Sequence, residues 1–478
     1  MQLQLSATGL HPLAATSRVT SSSETDEGGL SLHFSIPEGM SFRYETETNR
    51  IATVSDTTAT SAETHFVREG TLSGGIRYWR DSSSLYPDGM VANLILELTQ
   101  QCNMRCAYCL YSGNYDNRRN HGEVRMDFDM VVQSIRLYAS LNRNRKEAHI
   151  SFYGGEALLE FRTIQKAVEV AREAIANHPL KFSISTNGLL LDEDVASWLD
   201  ANPDVSVLVT LNGPFHDDYR RDRFGGKTLA RIHQNLSRLK RGHPVVWDKQ
   251  VRFICNVIFL DQIRPLRDFY ASAIGKIPLA ITNVIPYHGS AFIDSLAEHD
   301  KNTREAAWMD LADEYLETGD PFLHVLFRIR LSNVHERPLY HYGVPGEVPT
   351  CKPMSGSIFV GADGNLSLCE RCGILSIGTV GNGVDKAALV RIYDNAYSAF
   401  RAKCANCWAQ RLCSVCLANV DGLGTGNPSI PDAFCQNERS NVLADLRLYC
   451  RMALFHADTM SRLFPKSVPK QNEESVYV

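Results

Sequence analysis

The chain has 478 residues, of which 44% are hydrophobic, 22% charged and 9% aromatic, the composition of a globular protein with several domains of ~100–200 residues each. Its 49 Lys and Arg against 54 Asp and Glu leave a formal net charge of −5, which indicates neither a nucleic-acid partner nor a membrane partner. A chain this long buries large cores without staples, so its thirteen cysteines are the feature to explain.

An odd number of cysteines excludes complete internal disulfide pairing. The start, MQLQLSATGLHPLAATSRVT, lacks the basic residues and apolar run of a signal peptide. No stretch reaches the ~18–20 consecutive apolar residues that span a bilayer. A cytoplasmic protein with reduced thiols is expected, and clustered cysteines there read as metal ligands or catalysts.

In chain order, residues 1–30 are rich in Ser, Thr and Gly and read as a flexible tail. Residues 31–90 hold short alternating segments (SLHFSI, MSFRYETE, GIRYW) between turn residues, a small β-rich module. From 91 to 320 strands alternate with helices. VANLILEL, AHISFYG, KFSIST, VSVLVTL, VRFICNVIF and LAITNVI are nearly continuous in hydrophobicity, as buried parallel strands are. Between them FRTIQKAVEVAREAIANH repeats Ile164, Val168, Ala171 and Ile175 as one apolar stripe. Six such units imply an α/β fold with right-handed crossovers, either an open partial barrel or a flat doubly wound sheet, with chemistry at the C-terminal strand ends. One more helix (TREAAWMDLADEYLETG) precedes a connector at 321–350. Residues 351–440 carry eight cysteines among many turn residues, where metal coordination supplies stability that a thin core does not. A C-terminal helix and tail, 441–478, close the chain.

Cys102, Cys106 and Cys109 follow the first strand of the series. Three thiolates on one loop each hold one iron of a cubane 4Fe–4S cluster and leave the fourth iron open to a ligand; three ligands of a zinc site is the competing assignment. CxxxCxxC with the aromatic Tyr108 after the first strand of a β/α domain resembles the radical S-adenosylmethionine (SAM) family, whose fold is a partial (β/α)6 TIM-like barrel. By that resemblance Gly154, Gly155 and Glu156 (SFYGGE) are the motif receiving the SAM amino group. Ser185 and Asn187 lie in the polar segment ending the third strand, and Thr210 stands at the ribose. Arg220 stands where the family places an arginine that pairs with the SAM carboxylate. The family's Ser-Leu-Asp-Gly-Pro is Thr210-Leu211-Asn212-Gly213-Pro214 here, and Asn212, without the charge, is left out of the site.

The later cysteines resemble the SPASM domain, which carries two auxiliary 4Fe–4S clusters in peptide-modifying members. The resemblance assigns Cys351, Cys369 and Cys416 to the first, with Cys372 or a substrate thiolate completing it. Cys404, Cys407, Cys413 and Cys435 go to the second. Two residues, not the usual three, separate Cys413 from Cys416, and a zinc ribbon is the alternative for the CxxC pairs. Glu370 stands where sulfatase-maturing relatives have an aspartate base. Cys255 and Cys450 read as buried small hydrophobes. What the resemblance implies is a peptide maturase. It uses SAM and a flavodoxin- or ferredoxin-type electron donor to cross-link a ribosomally made precursor peptide through a thioether or carbon–carbon bond. Formylglycine formation on a sulfatase is the alternative, and a non-catalytic zinc or iron–sulfur scaffold the rival of another class.

Overall fold

The computed structural model describes residues 18–20, 30–54, 89–113, 118–176, 178–284, 304–337, 339, 354, 356–424 and 426–465. Cys351 and the GIRYW segment lie outside the described residues.

Six parallel strands stand side by side in chain order: β1 (Asn93–Thr99), β2 (Ala148–Gly154), β3 (Leu180–Thr186), β4 (Val205–Thr210), β5 (Val251–Val257) and β6 (Ala280–Asn283). Alternation gives the sheet two unlike faces. Ile150, Phe152, Phe182, Ile184, Val207, Val209 and Phe253 are all but fully buried under helices such as Phe128–Asn142 and Phe161–Ala174. Each such side chain stabilises the fold by roughly 2 kcal/mol. The expected stripe packs here, with Ile164, Val168, Ala171 and Ile175 all buried, and Cys255 lies buried on the same face. The opposite face is half-open and polar. Ser151, Ser183 and Ser206 form one row across three strands, and the Ser151 and Ser183 hydroxyls meet at 3.0 Å. This is the α/β partial barrel that the family resemblance implies, a polar concave face inside a helical jacket.

The chain then returns to the same sheet. Strand β7 (Ser357–Val360) pairs in parallel with β1, setting Ser357 beside Asn93 and Val360 beside Leu96, and a short antiparallel strand, β8 (Leu366–Ser367), follows. The Cys-rich segment therefore begins inside the barrel sheet.

Two differences from the sequence reading concern the ends of its segments. Arg18–Thr20, within the expected tail, is a strand paired with Ser31–Ser35, the first of four antiparallel strands with Ser41–Glu45 and Arg50–Val54. Pro321–His335, within the expected connector, is a helix. Asp320 caps it by accepting from the amides of Phe322 and Leu323, and Leu323, Leu326, Phe327 and Leu331 bury one face. A proline at the first helical position favours a helix there. The N-terminal sheet leans on the Cys-rich region, where Thr46 Oγ1 donates to the Trp408 carbonyl at 2.9 Å. Among the described residues no helix is long and apolar enough to cross a membrane.

Candidate active site

Each barrel strand ends at the same rim, and the thiol loop is wired to four of those ends. Residues 104–106 form a short strand paired antiparallel with Arg220–Asp222, with Cys106 opposite Arg220. This ribbon fastens the loop after β1 to the loop after β4. Gly154 and Gly155 approach the loop from β2: Gly155 N donates to the Thr99 carbonyl at 2.8 Å and Glu156 N to the Gln101 carbonyl at 2.9 Å. Here glycine is required, because a Cβ on Gly155 would sit 2.1 Å from the Gln101 oxygen. From β3, Asn187 Nδ2 donates to Asn103 Oδ1 at 2.7 Å.

The Glu156 carboxylate is buried and committed to the scaffold. It accepts from Thr186 Oγ1 (2.8 Å), Asn187 N (2.8 Å) and Leu158 N (3.1 Å). Burial pushes its pKa up while these hydrogen bonds pull it down. Its side chain thus shapes the third strand end. Ser185 and Thr210 lie half-buried on the polar inner face.

Tyr108 is tied to three strand-end groups. Its hydroxyl receives Asn212 Nδ2 at 2.8 Å, an Arg220 guanidinium nitrogen at 3.1 Å and Asn256 Nδ2 at 3.4 Å. Asn212 Oδ1 accepts in turn from Asn256 N at 3.1 Å. The sequence reading set Asn212 aside for its missing charge. The structure brings it to the centre as an amide that donates on one side and accepts on the other. The arrangement also identifies Asn256 and Thr282, which meet at 2.6 Å; their regular place on the inner face of β5 and β6 is the signal that could have found them. Among the described residues no carboxylate lies within ion-pair distance of Arg220, which is buried and whose Nε has no partner there.

The three loop thiols are free and half-buried. Met104 N points at Cys102 Sγ (3.3 Å) and Tyr111 N at Cys109 Sγ (3.4 Å). Burial pushes the Cys102 thiol up to about 12 and Cys109 to about 11, with neighbouring sulfurs adding repulsion. Such thiols give up protons when a cation arrives. The donor set, the glycine cradle and the unpaired Arg220 Nε fit a cubane cluster with a carboxylate-bearing ligand beside it.

The second cysteine region divides in two. Cys404, Cys407, Cys413 and Cys435 line one small enclosed cavity with Phe434, Glu438 and other residues; Glu438 accepts from Ser414 N at 3.2 Å, anchoring the shortened Cys413–Cys416 spacing. Cys372 N donates to the Cys369 carbonyl at 3.0 Å, and the turn Glu370–Cys372 packs on Leu417–Asn419, which Cys416 caps. This second group abuts the first loop. Tyr111 Oη donates to the Glu370 carbonyl at 3.5 Å and Arg118 to the Ala418 carbonyl. Tyr153, on β2, feels the charges of both Glu370 and Cys109. Among the described residues no three His, Cys, Asp or Glu side chains are gathered tightly enough for a single metal ion. Cys450 is buried in its helix.

Thiols at the strand-end mouth of an open parallel barrel stand where such folds carry out chemistry, in a set that suits an iron–sulfur cluster. Residues 96–250 match the Radical SAM superfamily, and that segment is a radical SAM domain, with SAM and an iron–sulfur cluster as its cofactors. It is 26% identical over 150 residues to a serine-type anaerobic sulfatase-maturating enzyme of Bacteroides thetaiotaomicron, covering 31% of this chain and 36% of that one. It is 31% identical over 156 residues to a cysteine-type anaerobic sulfatase-maturating enzyme of Clostridium perfringens, covering 31% and 40%. An uncharacterised protein of Methanocaldococcus jannaschii is 33% identical over 140 residues, 29% of this chain and 45% of that one. The chain thus spans less than half the length of these relatives. The solved structure of anSMEcpe with bound AdoMet superposes with a TM-score of 0.54 at 18% identity, covering 78% of this chain and 98% of that one, a likeness of fold.

Proposed function

We propose that this chain is a peptide maturase: it takes a hydrogen from a ribosomally made precursor peptide and installs a thioether or carbon–carbon cross-link. The observation that carries this reading is the contact between two thiol sites, Tyr111 to Glu370 and Arg118 to Ala418, which sets a second cysteine group beside the first.

In this reading Cys102, Cys106 and Cys109 hold the SAM-binding cluster. Cys351, Cys369, Cys372 and Cys416 hold the first auxiliary cluster, and Cys404, Cys407, Cys413 and Cys435 the second. Loaded in this way, the site would supply reductive cleavage of SAM, hydrogen abstraction from an unactivated carbon, and a sink for the second electron.

The chain's own residues bind and orient. Arg220, buried without an acid, holds the SAM carboxylate through its unpaired Nε. The backbone at 154–156 receives the amino group, and Thr210 and Ser185 offer hydroxyls from the inner face. Tyr108, pinned by three donors, closes the loop against the rim. Glu370 stands at the seam between the two thiol sites, where its carboxylate takes a substrate proton. The concave polar face sets the reacting carbon back from bulk water.

The relatives' names supply the second reading, formylglycine formation on a sulfatase, in which Glu370 serves as base just as well. The test is anaerobic purification, SAM cleavage with dithionite, and mass analysis of two candidate substrates, a precursor peptide encoded nearby and a sulfatase-derived peptide. A cross-link mass on the former supports the proposal; oxidation of only the latter selects the alternative. A colourless protein holding zinc and inert to SAM overturns both.

A further inference from the structure

The two-stranded ribbon has an outer face that the site does not use. Alternation turns Cys106 and Arg220 inward, while Arg105 and Arg221, directly opposite one another in the register, are exposed. The chain continues into a tight turn at residues 222–226. There Asp222 accepts from Phe224 N at 2.9 Å and Gly226 N at 2.8 Å and faces the Arg231 guanidinium at 3.5 Å, so its charge is spent on the turn and on that one arginine. Phe224 at the tip is 83% exposed, with the Arg223 guanidinium over its ring at 4.8 Å. Lys227 and Arg231 are exposed beside it, and Asp218 is the one exposed acid between 217 and 231. This is a basic surface centred on a bare aromatic ring, on a chain whose net charge is −5. It is also wired to the thiol loop: Arg223 N donates to the Asn103 carbonyl at 3.1 Å, next to Cys102.

We propose that this surface docks an acidic flavoprotein that delivers electrons singly, a conclusion resting on the reading of Cys102, Cys106 and Cys109 as a redox-cluster site. The reaction assigned to that site consumes one electron per SAM, which an external carrier has to bring. One electron leaves the reduced flavin and enters the cluster site; the flavin is oxidised by one electron, and no bond forms or breaks. Arginines and a lysine around a solvent-facing phenylalanine suit such a partner, since charge guides the encounter and the ring supplies an apolar anchor.

The experiment uses the holoenzyme and an acidic flavodoxin. Its Kd is measured for wild type, Phe224→Ala, and Arg223→Glu with Lys227→Glu, at low and moderate salt. Expected are weakening of about tenfold or more in the charge-reversed protein and a Kd that rises with salt in wild type but hardly in the variant. Flavodoxin-driven SAM cleavage falls in step, while dithionite-driven cleavage, which needs no docking, is unchanged. Equal Kd values across the three proteins, or no binding by wild type, overturn the docking surface. Unchanged flavodoxin binding with weakened binding of substrate peptide assigns the surface to the peptide and also overturns it. Failure of dithionite to drive SAM cleavage in wild type counts instead against the cluster reading, and the Kd series still judges the surface.

Discussion

The two cysteine regions reach similar chemistry by opposite construction. The loop at 102–109 rides on a finished scaffold: a strand ladder with Arg220–Asp222, backbone amides aimed at two sulfurs, and glycines from the next strand all place it before any metal arrives. At 404–435 the sulfurs themselves are the walls of a cavity, carried by the end of one helix (Lys386–Cys404), the start of another (Asp432–Phe455) and the turns between them rather than by a strand ladder. Where the backbone does the positioning, thiols are chemistry alone. Where thiols wall the space, they are chemistry and structure together.

The largest test of that contrast removes each set in turn. Cys102, Cys106 and Cys109 all replaced by Ala should reduce deoxyadenosine formation to background while Tm moves no more than the ~2–4 °C that about 1 kcal/mol causes in a domain of this size. Detectable turnover in the triple variant would end the cluster assignment. Cys404→Ala with Cys407→Ala should behave differently. SAM cleavage persists at some level, peptide product disappears, and Tm falls by more than in the first variant, as read by parallel assays on the soluble fraction. Full peptide modification by this protein would show the second cavity to be dispensable.

A smaller effect separates orientation from ligation within the first region. Tyr108→Phe deletes the acceptor that Asn212, Arg220 and Asn256 share, at a cost of about 1–3 kcal/mol. SAM affinity should weaken about tenfold, the equivalent of ~1.4 kcal/mol, with cluster iron unchanged. An unaltered SAM titration would reduce that hydroxyl to a bystander.

The smallest effect is a pH slope. Burial, with help from Arg105 and Arg119, lowers the pKa of His121 to about 4. Burial beside Lys181 lowers His149 to about 4, and burial beside Arg220 lowers His216 to about 2. Each folded value lies below the ordinary 6.5, so the unfolded chain binds more protons between pH 6.5 and 4. Stability is present above that window and is lost as pH falls through it. All three belong to the barrel half. Urea midpoints from pH 7 down to 4.5 should therefore fall, less steeply in His149→Asn, and a flat profile would contradict the burial argument.

The barrel was legible because buried parallel strands and amphipathic helices write their periods directly into sequence, as Ile164, Val168 and Ala171 do. The thiol loop was legible by spacing. What the sequence hid was contact at long range. Asn212 looked like a lost charge until its amide was seen between Tyr108 and Asn256. Glu156 reads as part of the amino-group motif, and only the structure shows its carboxylate taken up by Thr186 and two backbone amides. The helix Pro321–His335 was hidden because proline and the turns beyond it read as a connector, although a proline at the first helical turn is compatible with a helix.

The return of the chain at Ser357–Val360 also sets an order of events during synthesis. Until the ribosome has delivered that segment, β1 stands with one edge unpaired, more than 250 residues after it was made. An open strand edge invites pairing with other chains, and closure at such sequence separation is slow. The nascent barrel is therefore an aggregation hazard throughout most of its translation. A chain cut before residue 357 would keep every residue of the thiol loop yet have no means of covering the strand that bears it.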